Sequence, residues 1–229
     1  LGCGGTIARH ITQGDQVTVM FMTDGVSSRG RDVNQVTCRN NLSINAMSIL
    51  NVSDIRQCEF PDNEMDSIPL LNIVKAIEKV VNNVEPTMIY THFAHDLNID
   101  HRITHNAVMT ACRPQSWSSV RKILSFEVLS STEWNSPSHP SFLPQYIVNI
   151  SGFWDEKIEA LKCYDSEMRM FPHSRSYECV EALAVYRGAT NGFKKAEAFF
   201  VERILMLLKK VSIPLVSGQE SHHLHLHFL

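Results

Sequence analysis

What the chain lacks narrows the choice first. No apolar run in its 229 residues reaches the ~20 residues needed to cross a bilayer, and no secretory signal pattern is visible. Positive charge is not in excess: 21 Lys and Arg face 24 Asp and Glu, a formal net charge of -3, which gives no basic field for nucleic acid or an anionic membrane. The six cysteines (Cys3, Cys38, Cys58, Cys112, Cys163 and Cys179) show no C-x-x-C spacing, and several fall in apolar segments as small core residues do. That argues for a reducing, cytoplasmic compartment. No internal repeat or linker divides the chain, so its length reads as one domain.

What is present is an alternation of strand and helix patterns. Gly4 to His10 reads as a helix start, stopped by Gly14-Asp15, and Gln16 to Thr23 as a strand rich in β-branched and apolar residues. Asn34 to Leu50 is helical by pattern, and Val52 to Phe60 is a second strand. Ser67 opens a helix with Pro69 in its first turn and Leu70, Leu71, Val74, Ile77 and Val81 on one face. Pro86 to Tyr90 is a buried strand, followed by a helix over His101 to Cys112. Further strands are expected at Val120 to Val128 and Tyr146 to Ile150, separated by a polar loop, and helices at Asp155 to Cys163 and Tyr177 to Tyr186. Ala196 to Leu208 is mostly apolar and fits either strand or helix. This order argues an α/β, Rossmann-like, mostly parallel sheet with helices on both faces. Leu1 stands in the middle of a loop-to-helix transition, so the first strand is expected to be missing from this sequence. Residues 1 to 210 form the domain, and the tail 211 to 229, rich in histidine at its end, reads as disordered or tag-like.

Three groups of residues carry chemistry. Gly2-Cys3-Gly4-Gly5 with Asp24 after the next strand has the outline of a dinucleotide site, but G-x-G-x-x-G needs a small residue where Ile7 stands, so tight packing explains the glycines better. The stretch Thr91 to Arg102 crowds polar, metal-capable side chains at the C-terminal end of a strand, where open α/β sheets bind ligands. Within it His101 and His105 are spaced i, i+4, and His92 and His95 are further candidate ligands. Asp100 either orients the His101 imidazole, as carboxylates do beside metal-bound histidine, or caps the helix. The third group is polar residues placed after other strands: Asp24, Ser27, Ser28 and Arg29, then Asp62 and Asn63. Together these suit a polyhydroxylated ligand such as a sugar. The loop from Phe171 to Ser176 adds His173 and Arg175.

Read together, Leu1 to Ala8 (LGCGGTIA), Phe60 to Asn63, Asp96 to Arg102 and Ala196 to Phe199 resemble the PIG-L/LmbE-like zinc-dependent de-N-acetylases, over Leu1 to about Phe200. The resemblance implies removal of acetyl from an N-acetylglucosamine-type small-molecule substrate with a zinc ion. It makes His101 one metal ligand, with Asp100 as the acid beside it. The other two ligands and the general base belong to an A-H-P-D-D-E motif expected upstream of Leu1, so these residues alone are expected to bind zinc weakly and turn over no substrate. Asn98 stands where many members have histidine, so Asn98 or His95 is expected to steady the oxyanion. Asp24, Arg29, Arg39, Asp62 and His173 are the candidate substrate-binding residues. The family's glutamate three residues after the arginine is replaced by Leu42. The resemblance leaves room for a homo-oligomer. The alternative is a non-catalytic sugar- or nucleotide-binding module.

Overall fold

The computed structural model describes residues 1–23, 25 and 33–206. Asp24, Arg29 and the tail 211 to 229 lie outside the described residues. The elements are α1 (Gly4–Thr12), β1 (Thr18–Thr23), α2 (Val33–Ile49), β2 (Asp54–Phe60), α3 (Leu70–Val84), β3 (Met88–His92), α4 (Ile99–Ala111), β4 (Lys122–Phe126), β5 (Tyr146–Asn149), α5 (Trp154–Lys162), α6 (Tyr177–Ala189) and β6 (Ala196–Ile204). β1 pairs in parallel with β2, forming a two-stranded sheet, and a four-stranded sheet runs in the order β3-β4-β6-β5. β3 and β4 are parallel, joined through α4, while β6 runs antiparallel to both β4 and β5. The α/β, Rossmann-like class is the one the alternation implied, with its parallel character in the first four strands.

Alternation within β1 explains why helices cover both faces. Val19 and Phe21 turn to one side, into a core with Ala8, Ala46, Met47, Leu50 and Ala160 from α1, α2 and α5. Met20 and Met22 turn to the other, against Ile73, Val74, Ile77, Ala107 and Val108 from α3 and α4, a cluster that Ile89 of β3 and Ile123 of β4 also join. The second of these clusters therefore spans both sheets although no ladder connects them among the described residues.

One expected boundary moved and one open element is decided. Ile68, the residue before Pro69, is extended (φ -97, ψ 130), so Met65–Ser67 is a separate 3-10 turn and α3 begins only after Pro69, its N-cap. Ala196 to Ile204 is a strand. Its Ala196–Phe199 segment is buried throughout between β4 and β5, so it carries no solvent face to reveal the period of a strand.

The glycines around the start of α1 are packing residues. A Cβ on Gly5 would sit 2.9 Å from the side chain of Ile150, and one on Gly2 would run into the ring of Phe126. The start of α1 has no side-chain cap of its own. Its orphan N–H groups instead find Glu197 of β6, whose two carboxylate oxygens accept from Gly5 (3.0 Å) and Thr6 (2.7 Å). Lys157 of α5 donates to the same carboxylate at 2.6 Å, and both side chains are buried.

Candidate active site

The site is built where β3 ends. His92 is the last residue of the strand, Phe93 plugs the core behind it, and the loop to α4 folds back so that Asn98 caps the helix, its Oδ1 accepting from the N–H groups of Asp100 (2.8 Å) and His101 (3.3 Å). Asp96 lies at the centre of this loop and is fully buried. It accepts from the Nδ1 of His101 (3.0 Å), the backbone N–H of Asn98 (2.9 Å), the hydroxyl of Thr132 (2.6 Å) and the hydroxyl of Ser131. Burial alone pushes the Asp96 carboxyl up, but the hydrogen bond and charge of His101, with the two hydroxyls, outweigh it and hold it at about 2.

This arrangement fixes His101. With Nδ1–H given to Asp96, the neutral ring keeps its lone pair on Nε2, the form in which an imidazole binds a metal. The ring of His92 stacks on it, centroids 3.9 Å apart and planes 19° from parallel. Burial, and next the proximity of His101, hold the His92 ring well below the usual histidine range, so it is a neutral wall. Its Nδ1 is buried without a hydrogen-bond partner.

Here the expectation for Asp100 needs correcting. The residue that orients His101 is Asp96, four residues earlier than expected. Asp100 turns away on the helix and accepts from the backbone N–H groups of Asn63 (2.6 Å) and Met65 (3.1 Å), tying α4 to the loop after β2. Burial raises its carboxyl above the ordinary range even though those two N–H groups pull it down. Asn98 strengthens the same clip, donating from Nδ2 to Asn63 Oδ1 at 3.1 Å. One hydrogen of its amide is thus engaged and the other is the donor it has to offer. Asn63 adopts the left-handed region (φ 56) to make the turn, and its Nδ2 also donates to the carboxylate of its neighbour Asp62 at 3.3 Å.

The other described candidates each have partners of their own. His95 has its carbonyl held by the amide of Asn135, and its ring lies 5.5 Å from Phe93 and 5.8 Å from His139. His173 is brought beside Trp134, two residues beyond the Thr132 that binds Asp96. Arg39 on α2 is paired with Glu167 (3.3 Å) and lies over the ring of Tyr164, and Glu167 also faces Arg175 at 3.9 Å. Arg39 therefore buttresses the loop that carries His173. His105 does not converge with His101; it faces Glu202 of β6 at 3.3 Å. The residues overlooked in the sequence are Asp96 as the orienting acid and the Ser131-Thr132 hydroxyls. Both signals stood after strands, where the same rule that selected Asp62 applies.

Among the described residues no group of three or more His, Cys, Asp or Glu could hold a metal ion. His101 fits such an ion as a single, well-oriented ligand, and the described residues do not complete a shell.

The family model described as PIG-L, GlcNAc-PI de-N-acetylase, matches residues 1–112. An uncharacterised deacetylase of Escherichia coli K12, YaiS, is 30% identical over 172 residues, the match covering 72% of this chain and 84% of that protein. Among solved structures, the N,N'-diacetylchitobiose deacetylase of Pyrococcus horikoshii superposes with a TM-score of 0.69 at 18% identity, covering 88% of this chain and 78% of that one. The 4-carboxy-2-hydroxymuconate hydratase GalB of Pseudomonas putida KT2440 gives 0.64 at 18% identity, covering 96% and 93%, so the fold by itself hosts more than one reaction. The family match begins at Leu1 and runs through the Asp96–His101 pair, and with the likeness to YaiS it shows that the chain belongs to the PIG-L family of deacetylases.

Proposed function

We propose that the protein hydrolyses the acetamide of an N-acetylated amino sugar, of the N-acetylglucosamine type, with a zinc ion. Membership of a deacetylase family supports hydrolase chemistry. The observation that carries the finer reading is the Asp96–His101 pair, a buried carboxylate that fixes one tautomer of an imidazole at the end of β3. His101 would be one zinc ligand, and the remaining ligands come from outside the described residues. Zinc in such a site supplies a water acidified to about 7 and polarises an amide carbonyl.

The chain's own residues have separate tasks. Asp96 holds His101 in place and in tautomer. His92, kept neutral by burial, adds no competing positive charge beside it. The second amide hydrogen of Asn98 is a donor for the oxyanion; unlike a histidine it carries no proton to the leaving amine. Asp100 and Asn63 keep the β2 and β3 loops clipped together, so that Asp62 and Asn98 face one space. Asp24 and Arg29 are proposed to contribute sugar contacts.

Amine release from N-acetylglucosamine conjugates, measured with the full-length protein supplied with zinc, tests the reading. Activity is expected, and His101→Ala is expected to abolish it together with stoichiometric zinc. Full activity in that variant would refute the site, and no release from any N-acetylated sugar would refute the reaction.

A further inference from the structure

The turn that binds Asp96 continues into an exposed indole. Ser131 and Thr132 give their hydroxyls to Asp96, and Trp134, in the same 3-10 turn, has half of its surface (50%) open to solvent. Its exposure is unlike that of Trp117, which is 82% exposed on the loop after α4 and makes no link to the site. Trp134 meets the ring of His173 at 5.4 Å in a T-shaped contact (72°). One hydrogen bond fixes the His173 ring within its own loop, the Arg175 backbone N–H donating to His173 Nδ1 (2.9 Å), and another ties that loop to the turn, Arg175 Nε donating to the hydroxyl of Ser130 (2.7 Å).

The first of those bonds decides what His173 can do. Because its Nδ1 accepts, the neutral ring carries its hydrogen on Nε2 and is a donor there. A flat, half-exposed indole beside a fixed N–H donor matches one ligand chemistry well. A pyranose with equatorial hydroxyls has an apolar C–H face for the indole and a ring of hydroxyl oxygens at its edge to accept from an imidazole. The feature is preorganised, since the same turn is held by the buried carboxylate and the facing loop is held by Arg175, which lowers the ordering cost of binding.

We infer that Trp134 and His173 form a sugar subsite that seats the pyranose ring of the substrate, the indole stacking on its C–H face and His173 Nε2 donating to a hydroxyl. This rests on the deacetylase reading for the identity of the sugar, and it makes Trp134 a specificity-determining residue rather than a catalytic one.

Titration of the full-length protein with N-acetylglucosamine, followed by saturation-transfer and chemical-shift NMR, tests it. Trp134→Ala is expected to weaken binding by about 10-fold, the scale of one aromatic contact, and Trp134→Phe by less. His173→Phe, which keeps a ring but removes the donor, is expected to weaken it by about 5-fold. Trp117→Ala is the control and should bind as the parent does. Unchanged affinity in Trp134→Ala, or no binding by the parent protein, would overturn the subsite. Sugar binding that depends on Trp134 without any amine release would leave the subsite standing and refute the deacetylase reading alone.

Discussion

Replacing Glu197 by glutamine is the sharpest test of how this fold holds its first helix. The carboxylate does three jobs: it accepts from the N–H groups of Gly5 and Thr6 and it neutralises Lys157 at 2.6 Å, all in a buried setting. The amide is the same shape but carries no charge, and it offers one acceptor oxygen where two are used. Leaving a buried charge without its partner costs about 3–5 kcal/mol. An unsatisfied backbone N–H adds roughly 1–3 kcal/mol, although shared relaxation keeps the two from adding in full. A loss of about 4 kcal/mol is therefore expected, a large part of the ~5–15 kcal/mol that holds a domain of this kind. Removing the orphaned charge as well, in Glu197→Gln with Lys157→Met, should recover most of it, leaving about 1–2 kcal/mol for the damaged cap. Urea unfolding followed by far-UV circular dichroism, run as a double-mutant cycle, measures this. A Glu197→Gln loss below ~1 kcal/mol, or a double variant as unstable as the single one, would show that the buried-pair reasoning is wrong.

Other outcomes follow from the site. Asp96→Asn should lower zinc affinity by about 10–100-fold with the fold retained, as expected for a carboxylate that orients a ligand; competition with a chromogenic chelator reads it, and unchanged affinity would return the role to another residue. Asp100→Asn should do the reverse, loosening the loop after β2 in amide exchange while zinc affinity stays near that of the parent, and a drop matching that of Asp96→Asn would refute the division of labour drawn here. Ser176→Ala should cost about 0.5–2 kcal/mol in thermal unfolding, since its hydroxyl caps α6 by accepting from the Cys179 N–H; no change would show that the cap is redundant. For Glu202, burial raises the carboxyl but the His105 and Ser125 hydrogen bonds outweigh it and pull it below its ordinary 4.5. A lowered folded value means that its contribution is present above 4.5 and lost as pH falls through the folded value, so the stability gap to Glu202→Gln should shrink on acidification across that window. A gap independent of pH would contradict the assignment.

How much of this the sequence shows depends on how local the cause is. β1 is legible because Gln16 to Thr23 is a short run rich in β-branched and apolar residues just after the Gly14-Asp15 turn, a composition set by the chain itself. That α4 starts with a polar cap is legible, but the sequence offered Asp100 for it, and the residue that accepts from the first-turn N–H groups is Asn98. β6 is not legible, since Ala196 to Phe199 is buried on both faces and only its place between two strands makes it a strand. Asp96 and Asp100 lie four residues apart, and which one meets the His101 ring depends on how the loop folds back over Phe93, information that spacing does not hold. Glu197 is farther out of reach: its partners Gly5 and Thr6 are 192 and 191 residues away.

The split between the two sheets has a consequence for motion. β1 and β2 share no ladder with β3 among the described residues, so no strand-to-strand hydrogen bond passes opening of one sheet on to the other. The helices do that instead, and α1 is the rivet: Ile7 and Ile11 lie on the β1 core, while Thr6 is fastened to β6 and His10 Nε2 meets the Tyr90 hydroxyl of β3 at 2.8 Å. Slow amide exchange should accordingly sort into two families, one for the β1–β2 ladder and one for the four-stranded sheet, released at different free energies. Loosening α1 should merge neither family but speed both, because a rivet grips each plate independently.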